Sequence, residues 1–176
     1  MVNKIDLPIA VASRSFSKNI NLRNELEGYF SSVRYNETGR ALAGEDLLAF
    51  LKECTGAIIA LEKITRDVLI SVPGLKFIGK YGVGLDSLDL NAMKEFGVQL
   101  GWSGGHNKES VAELALCFMI GICREIFTSI SNMKSGNWIV NGGNQLSEKT
   151  IGVIGCGNAG RRLISLLEPF NCKILG

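Results

Sequence analysis

Gly155-Cys156-Gly157-Asn158-Ala159-Gly160 follows directly on the strand-like run Thr150-Ile151-Gly152-Val153-Ile154. A G-x-G-x-x-G element between an apolar β run and the start of a helical one is a dinucleotide fingerprint with a mechanism. The first glycine permits the tight turn, the second lets backbone approach a pyrophosphate, and the third lets helix pack closely on strand. An anion can then sit on the free N–H groups and positive dipole end of the new helix. Only sixteen residues follow Gly160 in this 176-residue sequence. The fingerprint is therefore expected to open a domain that these residues do not finish.

Upstream of it, short β-like runs alternate with helical stretches. Strands are expected at Ile9–Ala12, Ser32–Tyr35, Ala57–Ala60, Phe77–Lys80 and Val98–Leu100. Helices are expected from a cap at Ser17 to about Tyr29, around Asp46–Cys54, after a cap at Thr65, and over Leu90–Phe96. Strands rich in Ile and Val, without polar alternation, imply a parallel sheet covered on both faces. Residues 1–101 read as one α/β domain, a flavodoxin-like, doubly wound five-stranded parallel sheet. Residues 102–176 read as a long helix and the first βαβ of an incomplete Rossmann domain. That helix, Ser110 to about Met133, would run roughly 36 Å. Its first half is apolar on nearly all sides, which predicts burial between two domains or two subunits. Gly136 and Asn141-Gly142-Gly143-Asn144 read as a surface loop.

Composition narrows the function classes. With 46% hydrophobic and 20% charged residues, the chain is globular rather than disordered. A net charge of +2 without basic clusters gives no nucleic-acid footprint. The longest apolar run, the ten residues Leu114–Cys123, is too short to span a bilayer, and no signal core opens the chain. Five cysteines without a C-x-x-C pair read as reduced thiols, neither disulfides nor a metal site. A cytoplasmic protein without nucleic-acid or membrane partners is the expectation, and the apolar helix adds a homodimer.

Several further words occur in order. They are Ile64-Thr65-Arg66-Asp67-Val68-Leu69, then Pro73 through Lys80, Tyr81-Gly82-Val83-Gly84-Leu85-Asp86 and Asp89-Leu90. Asn107 with Glu109-Ser110-Val111-Ala112-Glu113, and Gly136 with Trp138, precede the glycine fingerprint. In this order and spacing, residues 55–176 resemble the D-isomer-specific 2-hydroxyacid dehydrogenases. The resemblance implies a flavodoxin-like substrate domain, a Rossmann domain for NAD or NADP, and a site in the cleft between them. It implies that Tyr81, Gly82, Val83 and Gly84 offer amides to the carboxylate of a 2-hydroxy or 2-keto acid. An ordinary βα turn would ask for glycine there too. Gly155, Gly157, Asn158, Ala159 and Gly160 are implied to hold the cofactor, with Ser110 and Val111 facing its nicotinamide.

The resemblance implies that hydride transfer uses an Arg for the carboxylate and a His, paired with an acidic residue, for the hydroxyl proton. A cation beside a carboxylate and a base near neutral pKa are the physical requirements. The resemblance puts all three beyond Gly176, so these 176 residues by themselves are expected to be inactive. The single histidine, His106, reads as a loop residue, and no catalytic residue is assigned. The acidic residue that would choose NAD over NADP belongs about 20 residues past the motif, where the chain has reached Leu175. Two words depart from the family pattern: Gly101-Trp102-Ser103-Gly104 replaces an Asn-Thr-Pro type of turn, and Asn158-Ala159 an Arg-Ile pair. Cys156 reads as a small filler between glycines. A non-catalytic nucleotide-binding or interaction module of the same fold remains the alternative.

Overall fold

A computed structural model describes residues 4–140 and 142–176, and Asn141 of the expected surface loop lies outside them. Contacts divide the chain into two compact units, Met1–Gly104 and Gly105–Gly176. Five strands form the first: β1 (Ile5–Val11), β2 (Phe30–Tyr35), β3 (Gly56–Ile59), β4 (Phe77–Lys80) and β5 (Gln99–Gly101). All pair in parallel in the order β2-β1-β3-β4-β5. Parallel neighbours need crossovers, supplied by α1 (Arg14–Lys18) with α2 (Ile20–Tyr29), α3 (Gly44–Leu51), α4 (Arg66–Ser71) and α5 (Leu90–Glu95). The apolar β runs bury Ala10, Ala57 and Ile78 against Leu47, Leu51, Leu69 and Ala92 of the helices.

Local chemistry explains where the elements begin. Thr65 Oγ1 accepts from Val68 N–H at 3.4 Å and Asp89 Oδ1 from Ala92 N–H at 2.9 Å, which caps α4 and α5. The expected cap at Ser17 is not one. Ser13 caps α1 and Asn19 caps α2, while buried Ser17 donates its hydroxyl to Val11 O at 3.2 Å. Asn19 carries a carboxamide that accepts from both Asn21 and Leu22 N–H, and so competes better for the position. The third helix, expected over Asp46–Cys54, runs over Gly44–Leu51. β1 starts at Ile5 rather than Ile9, because a register shift between Ile5 and Pro8 lets the ladder pass a residue without an N–H.

The second unit holds α6 (Lys108–Cys123), α7 (Ile126–Lys134), β6 (Thr150–Gly152), α8 (Asn158–Leu167) and β7 (Lys173–Leu175). β6 and β7 pair in parallel across α8, a βαβ unit whose core is Ala112, Leu146, Leu163 and Leu167. The single helix expected over Ser110–Met133 is corrected to two, bent by 66°. Glu125 takes a left-handed φ of 53°, and Asn144 N–H caps the end of α6 by donating to Cys123 O at 2.7 Å. A Cβ on Gly121 would lie 2.8 Å from the Phe127 ring, so the glycine gives α7 room to fold back. The expected burial of the helix is not met within its own unit: Leu114, Phe118 and Ile122 are 54%, 48% and 69% exposed. No single helix among the described residues is long and apolar enough to cross a membrane.

A Cβ built on Gly56 would stand 1.9 Å from Phe77, whereas one on Gly28 meets nothing within 4 Å. Gly56→Ala is therefore expected to destabilise the first unit by about 1–3 kcal/mol through overpacking. Gly28→Ala is expected to stabilise it by about 0.5 kcal/mol. Urea unfolding midpoints followed by circular dichroism check both signs.

Candidate functional site

At the carboxyl ends of β3 and β4 the first unit carries a hollow of about 320 Å³. Ala60, Leu61, Lys80, Tyr81, Gly82, Val83, Gly84, Asp86 and Ser87 line it. Chain leaving a parallel strand here must turn, and Gly82 does so at φ +137°, where a side chain would be strained. The four loop residues named from sequence all lie on the hollow, but their amides differ. Tyr81 N–H is spent on Ile59 O at 2.7 Å, which extends the β3–β4 ladder by one rung. Its ring packs edge-on against Phe16, with centroids 5.4 Å apart. Gly82, Val83 and Gly84 N–H have no acceptor among the described residues. Three consecutive unclaimed amides can converge on one anion.

Side chains brace this loop. Trp102 Nε1–H donates to Val83 O at 3.1 Å. A trans peptide is planar, so holding that carbonyl turns the following N–H, that of Gly84, to the opposite side. Lys80 Nζ donates to Ala60 O and, at 3.2 Å, to Ser87 Oγ, tying the β3 end to the far side of the loop. Lys80, Asp86, Ser87 and Leu61 were not foreseen as site residues. Lys80 had a signal: it is the last residue of β4, beside the loop. Leu61 had none, since an apolar residue after an apolar strand reads as core.

In the second unit Val153 N–H donates to Leu175 O at 2.7 Å and carries the parallel ladder one residue past β6. Gly155 then turns at φ +93°, and Gly157 stands at the N-cap of α8, where its missing side chain leaves the first helical amides without a cap. Gly160 is obligatory on packing grounds: a Cβ there would lie 2.1 Å from Gly155 O. Around Gly157 there is open space instead, as a cradle for an approaching ligand requires. Arg161 Nε–H donates to Cys156 O at 2.9 Å, which turns Gly157 N–H away from the helix by the same peptide geometry. Cys156 is exposed, a free thiol on the loop surface.

A hollow of about 290 Å³ joins this turn to α6. Gly155, Ala159 and Gly160 line it together with Val111, Ala112 and Ala115. Of the two residues expected to face a nicotinamide, Val111 is on the lining and Ser110 is not. Helix α6 starts two residues before Ser110, so Ser110 is an exposed residue of its first turn. Asn158 packs beside Gly105, where an added Cβ would meet its side-chain amide at 2.6 Å. Exposed His106 lies in the turn before α6. No cluster of three or more His, Cys, Asp or Glu that could hold a metal occurs among the described residues.

The sequence profile of the D-isomer specific 2-hydroxyacid dehydrogenase catalytic domain matches residues 3–162. The chain belongs to this family. It is 35% identical over 165 residues to YoaD of Bacillus subtilis, assigned as a 2-hydroxyacid dehydrogenase, covering 86% of this chain and 48% of YoaD. D-3-phosphoglycerate dehydrogenase of Rattus norvegicus is 33% identical over 138 residues, which are 77% of this chain and 26% of that enzyme. The chain thus spans between a quarter and a half of the length of these relatives. A crystal structure from Polaromonas, described as an NAD-binding D-isomer specific 2-hydroxyacid dehydrogenase, shares the fold. It gives a TM-score of 0.84 at 22% identity, over 97% of this chain and 54% of that one.

The two fingerprint glycines make opposite demands. Gly160→Ala is expected to destabilise the second unit by about 1–3 kcal/mol, because backbone cannot yield to the new methyl. Gly157→Ala is expected to leave folding unchanged while obstructing the cradle. Hydrogen exchange of α8 amides separates the two variants, with loss of protection expected only in Gly160→Ala.

Proposed function

We propose that this chain supplies the acid-binding unit and the opening of the cofactor-binding unit of an NAD(P)-dependent 2-hydroxyacid dehydrogenase. The observation that carries the proposal is the set of unclaimed amides at Gly82, Val83 and Gly84 beside an open hollow. A carboxylate there accepts several N–H bonds at once from a loop that is already braced. Binding it fixes the adjacent carbonyl carbon in place, which is what an oriented transfer requires.

The second unit fits a dinucleotide. Gly157 leaves room where a Cβ would intrude, the uncapped amides from Gly157 to Ala159 match a pyrophosphate, and Val111 and Ala115 add an apolar wall. Held by these residues, a reduced nicotinamide would supply the hydride, two electrons, that together with one proton on the carbonyl oxygen would turn a 2-keto acid into the 2-hydroxy acid. No group among these residues is assigned that proton, since His106 borders neither hollow. We place the proton-transfer residues in the part of the protein that corresponds to the remaining length of its relatives. A neighbouring fold, the 3-phosphoglycerate dehydrogenase of Entamoeba histolytica, was crystallised with NAD+ bound, which supports the cofactor class.

The complete protein is expected to oxidise NADH or NADPH with a 2-keto acid, read at the nicotinamide absorbance band. The 176 residues alone are expected to show no turnover. A Cβ on Gly84 meets only the flexible Asp86 carboxylate, at 3.2 Å, so Gly84→Val should fold. Its KM for the keto acid is expected to rise about tenfold or more, the loss of one or two amide bonds. An unchanged KM would leave the loop a simple turn.

We further propose a second copy of the chain as the partner of the exposed Leu114-Phe118-Ile122 face, an i, i+4, i+8 stripe along α6. A stripe this apolar favours association. Sedimentation is expected to give a dimer that Phe118→Glu converts to monomer. A wild-type monomer at all concentrations would contradict it.

A further inference from the structure

The hollow of the first unit has two chemically different parts. The Gly82–Gly84 amides suit a carboxylate. Beside them stands a wall made by Ala60, Leu61 and Tyr81. Leu61 is 69% exposed, so its isobutyl group is presented to whatever enters rather than used for packing. The charges on the lining are one cation, Lys80, and one anion, Asp86. They offset each other, and Lys80 already donates to Ala60 O and Ser87 Oγ. Behind the wall, buried Glu62 accepts from Ala60 N–H at 2.7 Å and adds a carboxylate to the surroundings. Lys63 borders the neighbouring hollow instead, alongside Asp86 and Asp89.

A phosphorylated hydroxy acid would bring a dianion besides its carboxylate. Phosphate sites are built from arginine forks or stacked amides with net positive charge, and this wall offers neither. A dianion against Leu61 would lose its hydration without a partner, and Asp86 would repel it. A short alkyl group would instead cover Leu61 and Tyr81.

We infer that the Leu61 wall selects a 2-hydroxy or 2-keto acid whose chain beyond the reacting carbon is short, uncharged and apolar, and rejects phosphorylated ones. This inference rests on the carboxylate reading of the Gly82–Gly84 loop. It sets the chain apart from the phosphoglycerate dehydrogenases it resembles in sequence.

Titration calorimetry of the complete protein with D-2-hydroxybutanoate and with D-3-phosphoglycerate tests it. The alkyl acid is expected to bind at least about tenfold more tightly, the scale on which apolar pockets discriminate. Leu61→Arg is expected to remove that preference by tightening the phosphorylated acid. Leu61→Gln is expected to weaken the alkyl acid without helping the phosphorylated one. Tighter wild-type binding of 3-phosphoglycerate, or affinities that ignore both Leu61 variants, would overturn the inference. Oxidation of both acids with NAD+ and NADP+ is followed in parallel. The stated preference in binding without turnover removes the dehydrogenase reading and leaves the wall's selectivity. Turnover with the phosphorylated acid preferred removes the selectivity alone, and failure of both acids to bind removes both.

Discussion

A backbone N–H without a partner is a liability inside a protein and an opportunity at its surface. Both units are arranged around such amides. In each, a parallel strand ends, a glycine with positive φ turns the chain, and consecutive N–H groups are left unclaimed beside a hollow. In each, a side chain from outside the turn grips the carbonyl that precedes a key amide: Trp102 at Val83, Arg161 at Cys156. Since a peptide plane rotates as a body, gripping its oxygen aims its hydrogen. Neither brace has to touch a ligand to govern its binding.

The parallel sheets were legible because their signals are local and redundant. Unalternating runs such as Ala57-Ile58-Ile59 fit only a strand covered on both faces, and β3 and β4 stand where they were expected, to within a residue. The glycine turn after Ile154 was legible for the same reason: each of its glycines has a separate steric role. What the sequence concealed depended on distant atoms. The break after Cys123 lacks a glycine or proline at the bend. It exists because Asn144, a loop away, takes the Cys123 carbonyl and Phe127 folds over Gly121. The unequal value of the Tyr81 and Gly82 amides was equally hidden, because only the β3–β4 register decides which of them completes the ladder.

The departures from the family pattern acquire physical meaning here. Trp102, in the turn that replaces an Asn-Thr-Pro type, is the donor that braces the Gly82–Gly84 loop. Asn158-Ala159 gives up a long cationic side chain at the glycine fingerprint turn. A cation follows three residues after Asn158 as Arg161, whose Nε–H donates to the backbone of the turn at Cys156 O. The loop that follows β3 adds an exposed apolar side chain, Leu61, on the lining of the same hollow as the Gly82–Gly84 loop.

The central claim is that the Gly82–Gly84 amides receive a carboxylate. Amide chemical shifts of the complete, isotope-labelled protein, recorded as a 2-hydroxy acid is added, test it most directly. The resonances of Gly82, Val83 and Gly84 are expected to move downfield together, as N–H groups do when they bond to an anion. The Tyr81 resonance, already committed to Ile59, should move far less. Shifts centred on Tyr81 or on residues remote from the loop, with the three amides unmoved, would contradict it.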